Sequence, residues 1–436
     1  MVTESFNKRF FKLAIPNILA NISVPLVGLV DTAMLGHLPE IHFLAGVALA
    51  SVLFDYIFWT FGFLRMSTTG LTAQASGKKD IHEIYAISYR GFAIALFVGL
   101  ILILFRNIIS ATGFGLLSAE SLVKLSGEEY FAARILGAPV VLCNYVFVGW
   151  FLGRERSDLV LYMTLVGNVA NVILNYIFLF ILGLAAAGVG WATTISNILA
   201  FFLALVFYKY GAKKISVDWK SVFTREKLVP LFSLNRDILI RTLFLISSFG
   251  VFTNISSILG VSILAVNTII LRILSFAAYL IDGIAFATES LAGIFKGSND
   301  HQSLKKLLKT ALLWGEVFAV GFIAIMFLIP DYFYPLMTSH ADIIQLLKVY
   351  DYWVYIALIF SAIAYIFDGY FLGITNAKIL RNSMVLCFVV FFLPLAWLSV
   401  KLHDNHILWL AMVVFMFGRA ATLGWGAWRE IKIRAS

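Results

Sequence analysis

Apolar positions in this chain gather into long runs divided by short polar breaks. Twelve runs stand out, at roughly 13–35, 44–72, 86–109, 130–153, 159–182, 186–208, 238–259, 262–295, 309–330, 349–373, 382–400 and 406–428. Each is close to or longer than the ~20 residues an α-helix needs to cross hydrocarbon about 30 Å thick. A segment in lipid must satisfy its own backbone N–H and C=O groups, which leaves helices or a closed barrel. Barrel strands would alternate over about 10 residues, and these runs do not. The pattern predicts an all-α polytopic membrane protein of twelve transmembrane helices.

The polar breaks orient the chain. Of its 33 Lys and Arg, with those toward a run's end counted in the adjoining loop, 25 fall on the side of the N-terminus when the runs are crossed alternately, 4 on the opposite side (Arg106, Lys124, Lys348, Lys401) and 4 well within runs (Arg65, Arg134, Arg272, Arg419). Basic loops mark the cytoplasmic side, so both termini are expected there. The formal charge of +9 is thereby assigned to loops, and no nucleic-acid partner is expected. Composition agrees: 61% of residues are hydrophobic and 13% charged, against about 45–50% and about 25% in soluble domains. The opening MVTESFNKRFFKLAIPN has no small-residue cleavage site and is read as the lead-in to an uncleaved first helix.

The longest polar break divides the chain near its middle. We expect an N-terminal lobe at 1–208 (helices 1–6), a cytoplasmic linker at 209–237 and a C-terminal lobe at 238–436 (helices 7–12). The halves repeat at an offset of 220: Leu44, Ala45, Thr68, Leu71, Gly77 and Asp80 recur as Leu264, Ala265, Thr288, Leu291, Gly297 and Asp300, and FVGWFLG from Phe147 as FDGYFLG from Phe367. Repeats of even helix number share one topology, an arrangement that secondary transporters use with the substrate site between the halves.

Ionisable groups within a span are costly and are functional candidates by default. With residues toward a run's end left to the loops, the in-run acids are Asp31, Asp55, Asp282, Glu289, Glu316 and Asp368, and four in-run arginines could pair with several of them. Asp31 has no basic residue on its own run. Helical spacing places it on one face with Asn17, Asn21 and Gly28, and Pro16 and Pro25 weaken the same helix. Asn168, Asn171 and Asn175 form a polar stripe on the fifth run, suited to a cavity or to bonds between helices. Matched stripes on the second and eighth runs, Asp55, Trp59, Met66 and Ser275, Tyr279, Asp282, Glu289, mix acids with aromatics and would suit an organic cation; core packing with buried ion pairs is the plainer account.

Several chemistries find no support. All seven His lie in or beside loops, no cluster has metal-ligand spacing, and Cys143 and Cys387 sit in apolar runs as packing residues. No GxxxxGK[ST] loop occurs, so no ATP coupling and no cofactor are expected. An intramembrane protease would need GxGD or GxSG, and neither occurs beside a candidate residue. The chain is not expected to be an enzyme.

The stretches GLVDTAMLGHL, FLRMSTTGLTAQASG, LNRDILIRT, FAAYLIDGIAFATESLAG and FDGYFLGITNAKILRNSM resemble the multidrug and toxic compound extrusion (MATE) transporters, in particular their bacterial DinF-like branch. The resemblance implies two six-helix lobes related by a pseudo-two-fold axis around a V-shaped cleft, and export of organic, often cationic, drugs against H+ or Na+. It places the coupling residue at Asp31, helix 1 bending at Pro16, and neighbouring site residues at Asn171, Asn175 and Thr193. Asn175 stands where many members carry Asp. A hard cation depends on charged ligands, whereas a proton needs Asp31 alone, so H+ is favoured over Na+. The expected substrate cleft takes in Asn21, Asp55, Met66, Tyr279, Asp282, Glu289 and Asp368, with Asn168 beside the coupling site. A monomer in the bacterial inner membrane, surrounded by lipid, is expected. A flippase for lipid-linked precursors is the alternative, and the excess of in-run acids over bases weighs against it.

Overall fold

The structure is a computed structural model that describes residues 5–210, 219–338 and 340–435. Among these residues it is helical, with no strand. Eleven helices are long and apolar enough to span a membrane, and a bent pair makes a twelfth. They are α1 (Phe6–Gly36), α2 (Ile41–Gly77), α3 (Ile81–Leu104), α4 (Ser121–Ile135 and Ala138–Leu152), α5 (Ser157–Ile181), α6 (Ala185–Tyr210), α7 (Arg225–Leu259), α8 (Val261–Gly297), α9 (His301–Leu328), α10 (Ala341–Gly373), α11 (Ala377–Leu402) and α12 (Asn405–Lys432). The twelve apolar runs thus correspond to twelve spans. The fourth run, read as one segment, is bent by 55°.

Two compact units divide the chain: Leu19–Phe232, and Met1–Ile18 with Ser233–Ser436. The division expected at 208 does not contain the second grouping. Its cause is local packing. Phe11 meets Trp314 edge to face with centroids 4.8 Å apart, the Arg9 guanidinium lies over Phe295, and a Cβ added at Gly283 would stand 2.6 Å from the Ile18 nitrogen. Of the expected linker, residues 211–218 lie outside the described residues.

The offset of 220 reappears as geometry within each unit. Lys79 and Asn299 both adopt left-handed φ, at 59° and 56°, and so do Glu155 and Thr375, at 59° and 55°. Asp80 and Asp300 then cap the following helices, accepting from the backbone N–H of Glu83 at 3.0 Å and of Ser303 at 2.9 Å. The glycine pairs of FVGWFLG and FDGYFLG do equivalent work. Without side chains between them, α4 closes on α2 and α10 on α8: a Cβ at Gly149 would lie 2.5 Å from Arg65 O, and one at Gly369 2.4 Å from Ala285 O. One turn on, a Cβ at Gly153 would meet Thr69 O at 2.8 Å, and one at Gly373 would meet Glu289 O at 2.2 Å. Lipid supplies no hydrophobic drive between helices, so small residues that admit close backbone packing hold such pairs together.

Several buried polar groups in the cores are tied off. In the first unit Trp150 donates to Ile84 O at 2.9 Å, and Tyr208 shares a hydrogen bond with Ser88. In the second, Asn267 accepts from Trp409 at 2.8 Å and donates to Ser256 and Asn405, each at 2.7 Å. Cys143 and Cys387 are buried free thiols, as packing residues should be.

Candidate functional site

The α5 amide stripe docks on α1 at two heights. Asn168 Nδ2 donates to Ser23 Oγ at 2.8 Å, and two turns on Asn175 Nδ2 donates to Asp31 Oδ1 at 2.6 Å. Pro25 lies between the two anchor points on α1. Asn175 also donates to Asn171 Oδ1 at 3.2 Å, and Asn171 Nδ2 reaches Thr193 Oγ1 on α6 at 3.4 Å. Thr193 in turn donates to Val189 O at 2.9 Å. Donation runs outward from Asn175, to the Asp31 carboxylate on one side and through Asn171 and Thr193 to Val189 O on the other, and the short Asn175 contact is what a charge-assisted bond to a carboxylate gives. Asn175 is fully buried, and its Oδ1 has no hydrogen-bond partner among the described residues. Immediately after it, α5 widens into a π turn over Ile177–Ile181. Such turns disturb the regular ladder and recur at functional sites.

The structure therefore brings Asp31, Asn175, Asn171 and Thr193 into one network and joins Asn168 to Ser23 instead. The next residue on α6 turns the other way. Thr194 Oγ1 donates to Ala133 O at 3.1 Å, where the break in α4 leaves carbonyls without helix partners. Arg134 sits on that last turn, its guanidinium 4.4 Å from the Phe54 ring centroid and donating to the Tyr130 hydroxyl at 2.5 Å.

Asp368 has a different environment. On α10 it accepts from Arg241 of α7 and, at 2.7 Å, from Arg419 of α12. All three side chains are buried, Arg419 completely. Asp368, expected to line the substrate cleft, is the centre of an ion cluster that ties three helices. The other expected cleft residues divide by exposure: Asp55 is exposed, Asn21, Met66, Tyr279 and Asp282 are half-buried and Glu289 is buried. Asn21, Asp55, Tyr279, Asp282 and Glu289 all have interaction partners. Pro16 and Pro25 lie within a helix that is continuous from Phe6 to Gly36. Asn17, on the same face by spacing, is 1% exposed, and neither of its polar atoms has a hydrogen-bond partner among the described residues.

Two features escaped sequence reasoning. The aromatic surroundings of Arg134 combine α2 and α4, and no spacing within one run reveals them. The Arg241–Asp368–Arg419 cluster joins residues from three distant runs; the only sequence signal was the presence of arginines inside apolar stretches. Among the described residues no three His, Cys, Asp or Glu could hold a metal ion together.

Comparison with known proteins places this arrangement. The MatE family profile matches residues 16–177 and 238–398. The DNA damage-inducible protein F (DinF) of Escherichia coli K12 is 33% identical over 98% of this chain and 93% of its own length. A probable multidrug resistance protein NorM of Thermotoga maritima is 24% identical over 95% of this chain and 90% of its own. Among solved structures, an outward-facing multidrug resistance MATE transporter of the MOP superfamily superposes with a TM-score of 0.89 at 20% identity, covering 99% of this chain and 97% of that one. A MOP superfamily transporter from Pyrococcus furiosus gives 0.89 at 18% identity, over 99% and 97% of the two chains. Two family matches that fall on the two halves, a full-length relative and the shared helical fold agree: the chain belongs to the MatE family of MATE transporters and is a multi-pass membrane protein.

Proposed function

We propose that this transporter exports organic, amphipathic cations in exchange for protons, and that Asp31 carries the coupling proton. The observation behind this is the contrast between two membrane aspartates. Asp368 is clamped by two guanidinium groups, whereas Asp31 is bonded by a neutral amide. An acid that must gain and lose a proton in each cycle needs the second environment.

The chemistry of the switch follows from hydrogen-bond roles. Ionised Asp31 only accepts; protonated, it also donates. The Asn175 nitrogen facing it cannot accept, so the protonated pair favours a turned amide that presents Oδ1, which is otherwise without a partner. That turn withdraws Nδ2 from Asp31 and Asn171 and loosens α1 from α5. Protonation also removes the negative charge that attracts a cationic substrate. In this reading α1 then bends at Pro16, where proline cannot give the helix hydrogen bond. The names of the multidrug resistance relatives support the substrate class. The distribution of Lys and Arg supports an orientation with both termini in the cytoplasm, and a bacterial inner membrane and a monomeric transporter complete the reading.

A second reading is Na+ as the coupling ion. It rests on four oxygen-bearing side chains, Asp31, Asn171, Asn175 and Thr193, within one hydrogen-bonded group. With one carboxylate among them the charge available to a hard cation is small. Efflux of a fluorescent cation from proteoliposomes, driven in turn by a pH gradient and by a Na+ gradient, separates the two. The proposal expects the pH gradient alone to drive wild-type protein and Asp31→Asn to be inactive. Transport driven by Na+ alone, or normal coupling in the variant, would overturn it.

A further inference from the structure

Arg134 is a cation held without an acid. Its guanidinium lies 4.4 Å from the ring centroid of Phe54, 5.5 Å from that of Tyr130 and 5.8 Å from that of Phe58. All three rings are buried. Nη1 donates to the Tyr130 hydroxyl at 2.5 Å, and Nε is buried with no hydrogen-bond partner. No carboxylate forms an ion pair with it among the described residues. Aromatic faces hold a guanidinium by cation–π attraction without neutralising it, so its field remains available to neighbours.

The break in α4 decides which neighbour feels that field. Arg134 is on the last turn before the bend, and α6 packs directly on this turn: a Cβ at Gly190 would stand 2.6 Å from Tyr130 O and 3.4 Å from Arg134 N. Thr194 holds the carbonyl of Ala133, and the adjacent Thr193 belongs to the Asp31 network. The turn that carries Arg134 is thus one helix contact away from the residues that bond Asp31. From α5 and α6 Asp31's network receives only amides and a hydroxyl. The charged side chains of α2, Asp55 and Arg65, have interaction partners of their own.

We propose that Arg134 is a positioning residue of the coupling site, a fixed charge that the aromatic cage holds near Asp31 and that sets the acidity at which Asp31 exchanges its proton. The proposal rests on Asp31 being the coupling acid. Arginine suits the role because it stays protonated at every pH the transporter meets. A caged charge at a distance biases the acid and leaves it free to cycle.

The test is an infrared pH titration of the protonated carboxyl C=O band in purified protein, with Asp31→Asn as the blank. Losing a nearby opposite charge disfavours ionisation, so Arg134→Met should move the Asp31 midpoint to higher pH by about 1 unit, about tenfold in proton affinity. Arg134→Lys, which keeps the charge, should leave it near the wild-type value. Tyr130→Phe removes the hydroxyl anchor with little change to the core, and should shift the midpoint in the same sense by less; it carries the test if Arg134→Met does not fold. An unchanged midpoint in Arg134→Met, or in Tyr130→Phe should that variant stand alone, overturns the role of Arg134. Loss of efflux without movement of the midpoint points to a merely structural arginine and also overturns it. Active efflux by Asp31→Asn would instead sink the functional reading, independently of how the band titrates.

Discussion

Removing the carboxylate of Asp368 takes the shared acceptor from two buried guanidinium groups. Breaking a buried ion cluster from one side costs about 3–5 kcal/mol. Asp368→Asn is therefore expected to unfold well below wild type in a detergent thermal melt, and the double variant Asp368→Asn with Arg241→Met should recover part of the loss. Asp31→Asn should melt close to wild type while losing transport, because an amide at 31 still offers Asn175 an acceptor oxygen. Equal melting losses at the two positions would mean that Asp31 is structural as well. The candidate residues themselves were legible: a carboxylate without a base on its own helix and a stripe of amides at spacings of three and four are visible in the linear chain. Their partners were less so. Which arginine meets which acid depends on contacts between distant runs, 127 positions apart from Arg241 to Asp368, and residue periodicity carries no such information.

At the scale of elements, the paired glycines and the paired caps are where the repeat has physical force. Gly373→Ala places a methyl group 2.2 Å from a backbone oxygen of α8, and Gly153→Ala one 2.6 Å from Thr72 Cβ of α2. Overpacking of this kind costs about 1–3 kcal/mol. Both variants should lower the melting temperature, Gly373→Ala the more, whereas Gly28→Ala, with nothing within 4 Å, should not. Asp300 gives a pH-dependent counterpart. The backbone N–H of Ser303 holds its carboxyl below the usual carboxylate range. A lowered folded value means that its contribution is complete above the unfolded value of about 3.9 and fades as pH falls through the folded one. Asp300→Ala should lose about 1 kcal/mol of stability at neutral pH, and the difference from wild type should shrink on acidification; a constant difference down to the lowest pH would rule out a charged cap. The spans themselves were legible because each is long and apolar. The 55° break in α4 was not, since it depends on Thr194 of another helix satisfying the exposed carbonyls.

For the whole molecule, the distribution of Lys and Arg predicts the sidedness of the termini. Green fluorescent protein fused after Ser436 should fluoresce, and alkaline phosphatase at the same place should be inactive; the reverse pattern would invert the topology. The division of α1 could not be read from the chain, because apolar periodicity runs through Ile18 without a mark. It has a consequence for biosynthesis. Residues up to Ile18 leave the ribosome first, yet they belong to a unit whose other members begin at Ser233 and end with the last helix. Contacts that span most of the chain close late. The start of α1 must therefore wait in the bilayer, its aromatic residues among acyl chains, while the Leu19–Phe232 unit assembles around the other end of the same helix. A nascent chain arrested before α8 would lack the Gly283 surface that receives Ile18. Completion of this transporter is thus tied to the last stages of translation, and a C-terminal truncation would be felt at the N-terminus.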